Sequence, residues 1–175
     1  MSRIDIFIDA GQGDSQNTIG GFRTGAYVVK AVSENREKIF WGIGRVRNPQ
    51  AFFADAVVAA LHDVFEEALD GGDRKFDIRI ICAKTGWWEQ LDHLRGREKK
   101  SQAAALEIDQ RDSWMRLGAY EAMLGLQKPE SPCGPKDYAE LEALADLKRA
   151  YAKKASLTVP QPCQGIFDQG IVDEG

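Results

Sequence analysis

At 175 residues, 43% of them hydrophobic, the chain has enough apolar material for one domain with a sizeable core, and too little length for a second full domain. A formal net charge of -4 and a pI near 5.3 exclude a protein whose whole surface wraps nucleic acid, while leaving room for a local basic patch. The three cysteines, Cys82, Cys133 and Cys163, form no C-x-x-C pair, which excludes a zinc ribbon and argues against a disulfide scaffold.

No apolar run nears the length of a membrane span, and charges interrupt the amino-terminal stretch "SRIDIFIDAG". The sequence therefore reads as a soluble, cytoplasmic protein. Its expected division is one domain over residues 1–155 and a Gly-, Pro- and acid-rich tail over 156–175.

The first element is "IDIFIDAGQG". Ile4, Ile6 and Ile8 alternate with Asp5, Phe7 and Asp9, a period of two that predicts a strand with Asp9 at its carboxyl end. Functional groups of open α/β sheets gather at such ends. "GQGDSQNTIGGFRTG" follows as a loop. It lacks the G-K-[ST] ending of a phosphate loop and precedes a strand, which excludes nucleotide binding by that route.

"AYVVKAVS" and "KIFWGIGRV", joined by the turn "SENRE", continue the sheet in antiparallel fashion. "RNPQAFFADAVVAALHDVFEEAL" is the strongest helix, with Asn48 as N-cap, Pro49 at the first helical position and "DGG" marking the end. Phe53, Val57, Leu61, Val64 and Ala68 recur at helical spacing, and Phe52 and Val58 widen the arc to suit a helix lying on a sheet. "KFDIRIICA" is a fourth strand, and the helical crossover before it predicts a parallel pairing.

From Thr85 the pattern turns helical. "TGWWEQLDHLRG" predicts a short helix, "REKKSQ" a basic loop, and "DSWMRLGAYEAMLGL" a helix with Trp114, Leu117 and Leu124 on one side. "KPESPCGP" is loop, and "KDYAELEALADLKRAYAKKA" is the last helix, striped by Leu141, Leu144 and Tyr151. The tail admits an arm, an edge strand or disorder.

Three strands, a long helix, a fourth strand and then helices is the element order of the ribonuclease H-like fold. "IFIDAGQG…GGFRTGAYVV" resembles the opening strand and loop of bacterial-type ribonuclease H, "REKIFWGIGRVRNPQAFFADAVVAAL" its third strand and first helix, and "DSWMRL" a segment of a later helix. The resemblance covers roughly residues 4 to 126 and extends weakly through the helix near Asp146. It implies an α/β fold whose mixed sheet opens with three antiparallel strands, with helices packed on the sheet.

That family cleaves phosphodiesters with two divalent cations about 4 Å apart, and hard magnesium ions call for oxygen ligands. The residues matching its motif, expected to be both catalytic and metal-binding with Mg2+ or Mn2+, are Asp9, Asp55, where the family has Glu, and Asp146, with Asp137 competing for the last role. The family's aspartate after the fourth strand is replaced by Lys84 in "CAKTG", an ammonium that cannot ligate magnesium. Glu89 or Asp92 on the following helix could reach the site.

The family's fifth strand has no counterpart in the proline-containing "LGLQKPESPCGPKD", and its histidine loop has no histidine. His62 and His93 both fall on predicted helices. His62 shares a face with Asp55, although a histidine packed against the helix's neighbours is the plainer reading.

Arg95, Arg97, Lys99 and Lys100, after the adjacent Trp87 and Trp88, resemble the basic protrusion with which some ribonucleases H hold the DNA strand of a hybrid. Phosphate attraction supplies the physical reason, and Trp88 is the expected stacking residue, one of the two indoles entering the core. A plain solvated loop accounts for the same charges.

Three functional expectations follow. The first is metal-dependent hydrolysis of an RNA–DNA hybrid or other structured nucleic acid. The second is a catalytically degenerate module of the same fold that binds nucleic acid or protein, and the third an unrelated α/β interaction protein.

Overall fold

The computed structural model describes residues 2–12, 18–19, 22–34, 36–46, 48–71, 75–91, 111–157 and 165–172. Its elements are β1 (Ser2–Gln12), β2 (Thr18–Ile19), β3 (Phe22–Ser33), β4 (Arg36–Val46), α1 (Ala51–Gly71), β5 (Phe76–Cys82), α2 (Arg111–Leu124), α3 (Gly134–Leu157) and β6 (Gly165–Ile171). The sheet runs β5-β1-β3-β4-β6, with the short β2 paired to β3.

β1, β3 and β4 are successively antiparallel, while β5 joins β1 in parallel after the α1 crossover. This is the mixed α/β sheet expected of a ribonuclease H-like chain. Where a fifth strand would lie beyond β5, Pro129 and Pro132 flank a single parallel bridge between Ile81 and Glu130. Proline cannot donate to a ladder, so pairing stops there.

The period of two in β1 sends its side chains to two different cores. Ile4, Ile6, Ile8 and Ala10 pack with α1 residues such as Val57 and Leu61, whereas Phe7 packs with Leu141 and Leu144 of α3. Each fully buried Ile, Leu or Phe stabilises the fold by about 1.5–3 kcal/mol relative to exposure. The sheet thus separates an α1 layer from an α3 layer.

α1 begins at Ala51, two residues past the Pro49 start expected, because residues 48–50 form a turn closed by i→i+3 bonds that leads into the helix. The Asn48 Oδ1 accepts the Gln50 N–H at 3.1 Å and the Asn48 carbonyl accepts the Ala51 N–H at 3.0 Å. Ala51, Ala54, Ala56 and Ala60 are fully buried, and their small side chains bring α1 close to the strands.

At Gly25 a Cβ would lie 2.6 Å from the Phe52 ring and 2.4 Å from the Gly11 carbonyl oxygen, so the approach of α1 to β3 requires a bare backbone there.

α3 is anchored at its amino-terminal end. The buried Asp137 accepts the Cys133 N–H at 3.0 Å and the Arg79 Nη2 donor at 2.8 Å, and Arg79 also pairs with Glu130. Burial opposes the Asp137 charge, but the Cys133 N–H and the Arg79 guanidinium outweigh it and lower the carboxyl's pKa.

Of the three states open to the tail, Gly165–Ile171 takes the edge strand, pairing β4 with a register shift between Ile43 and Gly44. Among the described residues no helix is long and apolar enough to cross a membrane.

Candidate functional site

Asp9 lies near the carboxyl end of β1, opposite Val28 of β3, on the face that carries α3. The Lys148 side chain of α3 reaches over it, with Nζ 4.0 Å from Asp9 Oδ2. Burial raises the Asp9 pKa, while Lys148, the Ala10 N–H, Lys84 and Arg149 each pull it back down. Asp9 is therefore one partly desolvated carboxylate among three cations.

Lys84 owes its position to the turn after β5. The buried Cys82 thiol, its pKa pushed up to about 11 by burial, donates to the Lys84 carbonyl at 3.1 Å and accepts the Trp87 indole N–H at 3.4 Å. The Lys84 side chain is exposed. Arg149 is engaged elsewhere, bonded to Asp146 at 2.7 Å and to the Ala145 carbonyl at 3.3 Å.

The carboxylates expected to share metal ions do not converge. Asp55 is on α1, in the other layer, where its Oδ1 accepts the Ser113 hydroxyl of α2 and its charge helps burial to raise the pKa of the Tyr27 phenol. The cause is register: one residue's alternation in β1 points Asp9 away from the layer that holds α1. Asp146 is exposed and tied to Arg149, and the competing Asp137 is taken up by Arg79.

Glu89 is exposed, and Asp92 lies outside the described residues. Among the described residues no group of three His, Cys, Asp or Glu side chains could hold a metal ion. The donor set around Asp9 does not fit a magnesium pair, since one carboxylate faces ammonium groups instead of further oxygens.

Asp55 instead lines a groove of about 1110 Å³ between α1, α2 and β6, together with Tyr27, His62, Glu66, Ser113 and Arg116. His62 is not packed against the helix's neighbours as the sequence suggested. Its side chain is exposed and pairs with Glu66 one turn on, at 3.4 Å.

The expected stacking role of Trp88 also meets a correction. Both indoles are buried: Trp87 stacks on Phe53 at 5.5 Å and meets Trp88 edge to face at 5.7 Å. The turn at Gly86–Trp87, closed by the Trp88 N–H on the Thr85 carbonyl, and the helical turn at 88–91 carry the pair inward as core. Arg95, Arg97, Lys99, Lys100 and His93 lie outside the described residues.

Sequence reasoning missed Lys148. The signal was available, because Lys148 is seven residues after Leu141 and four after Leu144, on the stripe that faces the sheet.

No protein-family model and no curated protein matches the sequence. Among solved structures, the chain is similar to the RNase H1 of the halophilic archaeon Halobacterium salinarum NRC-1. The TM-score is 0.41 and the identity 18%, over 81% of this chain and 93% of that one.

Proposed function

We propose that the chain is a ribonuclease H-like domain that binds nucleic acid and does not hydrolyse it by two-metal catalysis. The observation that supports this is the setting of Asp9, which has the Lys148 ammonium 4.0 Å away and Lys84 following Cys82, the β5 partner of Ile8, at the same end of the sheet. A divalent cation would be repelled where a phosphate is attracted.

The second half of α3 extends the same field. Residues 146–157 carry Lys148, Arg149, Lys153 and Lys154 against the single acid Asp146. Local basic charge of this kind attracts a phosphate backbone even when the chain as a whole is acidic.

The test is a labelled RNA–DNA hybrid incubated with the protein in magnesium or manganese, with binding measured alongside. The expected result is retention of the hybrid at low salt, loss of binding as salt rises, and no cleavage. Charge reversal at Lys99 and Lys100 is expected to weaken binding. Cleavage that disappears in Asp9→Asn would overturn the proposal and restore hydrolysis by Asp9, Asp55 and Asp146.

A further inference from the structure

We infer that the carboxyl ends of β1 and β5 form a metal-independent phosphate clamp, in which Lys84 and Lys148 grip one phosphodiester group beside Asp9. The clamp rests on the nucleic-acid reading above for the identity of its ligand, but its geometry stands on the site itself.

Charge gives the first reason. Ile8 pairs with Cys82 in the parallel β1–β5 ladder, so Lys84, two residues past Cys82, stands at the same strand ends as Asp9, with Lys148 4.0 Å from that carboxylate; Arg149 is committed to Asp146, which leaves these two ammonium groups against the single carboxylate. Two ammonium groups against one carboxyl group leave at least one positive charge over in either protonation state of Asp9. A phosphodiester carries one negative charge, and its two unesterified oxygens can each accept from one ammonium.

Hydrogen bonding gives the second. The 4.0 Å separation of Lys148 from Asp9 exceeds hydrogen-bond distance, and the Lys148 side chain is only 20% exposed. Among the described residues neither the Lys148 nor the Lys84 ammonium makes a hydrogen bond. Lys148, largely withdrawn from water without an acceptor, gains when one arrives, and the exposed Lys84 is free to turn to the same oxygen-bearing group.

Rigidity gives the third. Lys84 is rooted by the Cys82 thiol bond to its own carbonyl, and Lys148 by the packing of α3, whose Leu144 and Ala152 are buried on either side of it. The backbone from which each lysine reaches is thus fixed before a ligand arrives, which leaves only the side chains to be ordered on binding.

The experiment titrates the full chain, in EDTA at low salt, with a short single-stranded oligothymidylate and separately with inorganic phosphate. EDTA is expected to leave oligonucleotide affinity unchanged. Lys84→Gln and Lys148→Gln should each weaken it about tenfold, in line with the loss of one charged hydrogen bond. Asp9→Asn should tighten it severalfold by removing the competing negative charge. Lys128→Gln, at an exposed lysine of the loop between α2 and α3, should leave it unchanged.

Oligonucleotide binding that is indifferent to both lysine variants would overturn the clamp and leave the nucleic-acid reading standing. Phosphate binding that depends on both lysines, without oligonucleotide binding, would uphold the clamp and overturn that reading. Oligonucleotide binding that requires magnesium, or that Asp9→Asn abolishes, would overturn the clamp alone, and no binding of either probe would overturn both. Should Lys148→Gln fail to fold, the exposed Lys84→Gln decides the outcome alone.

Discussion

The protonation of Asp9 is linked to the stability of the fold, and the sign can be worked out. Burial raises its pKa above the ordinary value of 3.8, so between those two pKa values the folded state binds more protons than the unfolded one. Stability from this group is present below the unfolded pKa and is lost as pH rises through the folded one. Asp9→Asn is therefore expected to melt above the parent at neutral pH, with the gap closing on acidification below 3.8, as followed by thermal melts across pH. A gap that widens in acid would contradict the desolvated carboxylate. Asp137 has the opposite sign, since its pKa is lowered by the Cys133 N–H and Arg79 despite its burial. Asp137→Ala removes the acceptor for a backbone donor and for one arm of Arg79, and should cost about 1.5–3 kcal/mol in urea unfolding at neutral pH.

At the scale of elements, β4 owes its packing to an absent side chain. The Tyr27 ring lies across Gly42, where a Cβ would come within 2.2 Å of the ring, so Gly42→Val has to displace a fully buried tyrosine. Overpacking of this kind costs about 1–3 kcal/mol, readable as a lower denaturation midpoint. α1 and the strands β1, β3, β4 and β5 were legible because period, caps and turns agreed along each segment, as Asn48 and the Ile4–Ile8 alternation show. β6 was not. Gly165, Asp168, Gln169 and Gly170 give "GIFDQGI" little strand character of its own, and its conformation is set by the open edge of β4. Deleting residues 158–175 should expose that edge and promote self-association, which light scattering against the full chain would register.

At the scale of the whole molecule, the sheet decides what the charges can do together. Asp9 and Asp55 looked like partners along the sequence, and each sits on the element that was expected, but the sheet stands between their side chains. A linear pattern gives the face of each residue within its own element, and it gives only weakly how two elements are rotated against each other. The replacement at Lys84 was legible directly, while its partner Lys148 required knowing that α3 crosses the end of β1. This placement leads to a quantitative expectation for a protein of net charge -4. Binding through ion release makes the logarithm of affinity fall linearly with the logarithm of salt, by about 0.7 for each single-strand phosphate neutralised. If Lys84 and Lys148 share one phosphodiester, removing either should flatten the salt slope by no more than about 0.7, and removing both should flatten it little further. Two lysines on separate phosphates would instead give additive losses. Titrations of the parent, Lys84→Gln, Lys148→Gln and the double variant with an oligothymidylate over a range of salt distinguish the two cases, and additive slopes would refute a shared phosphate.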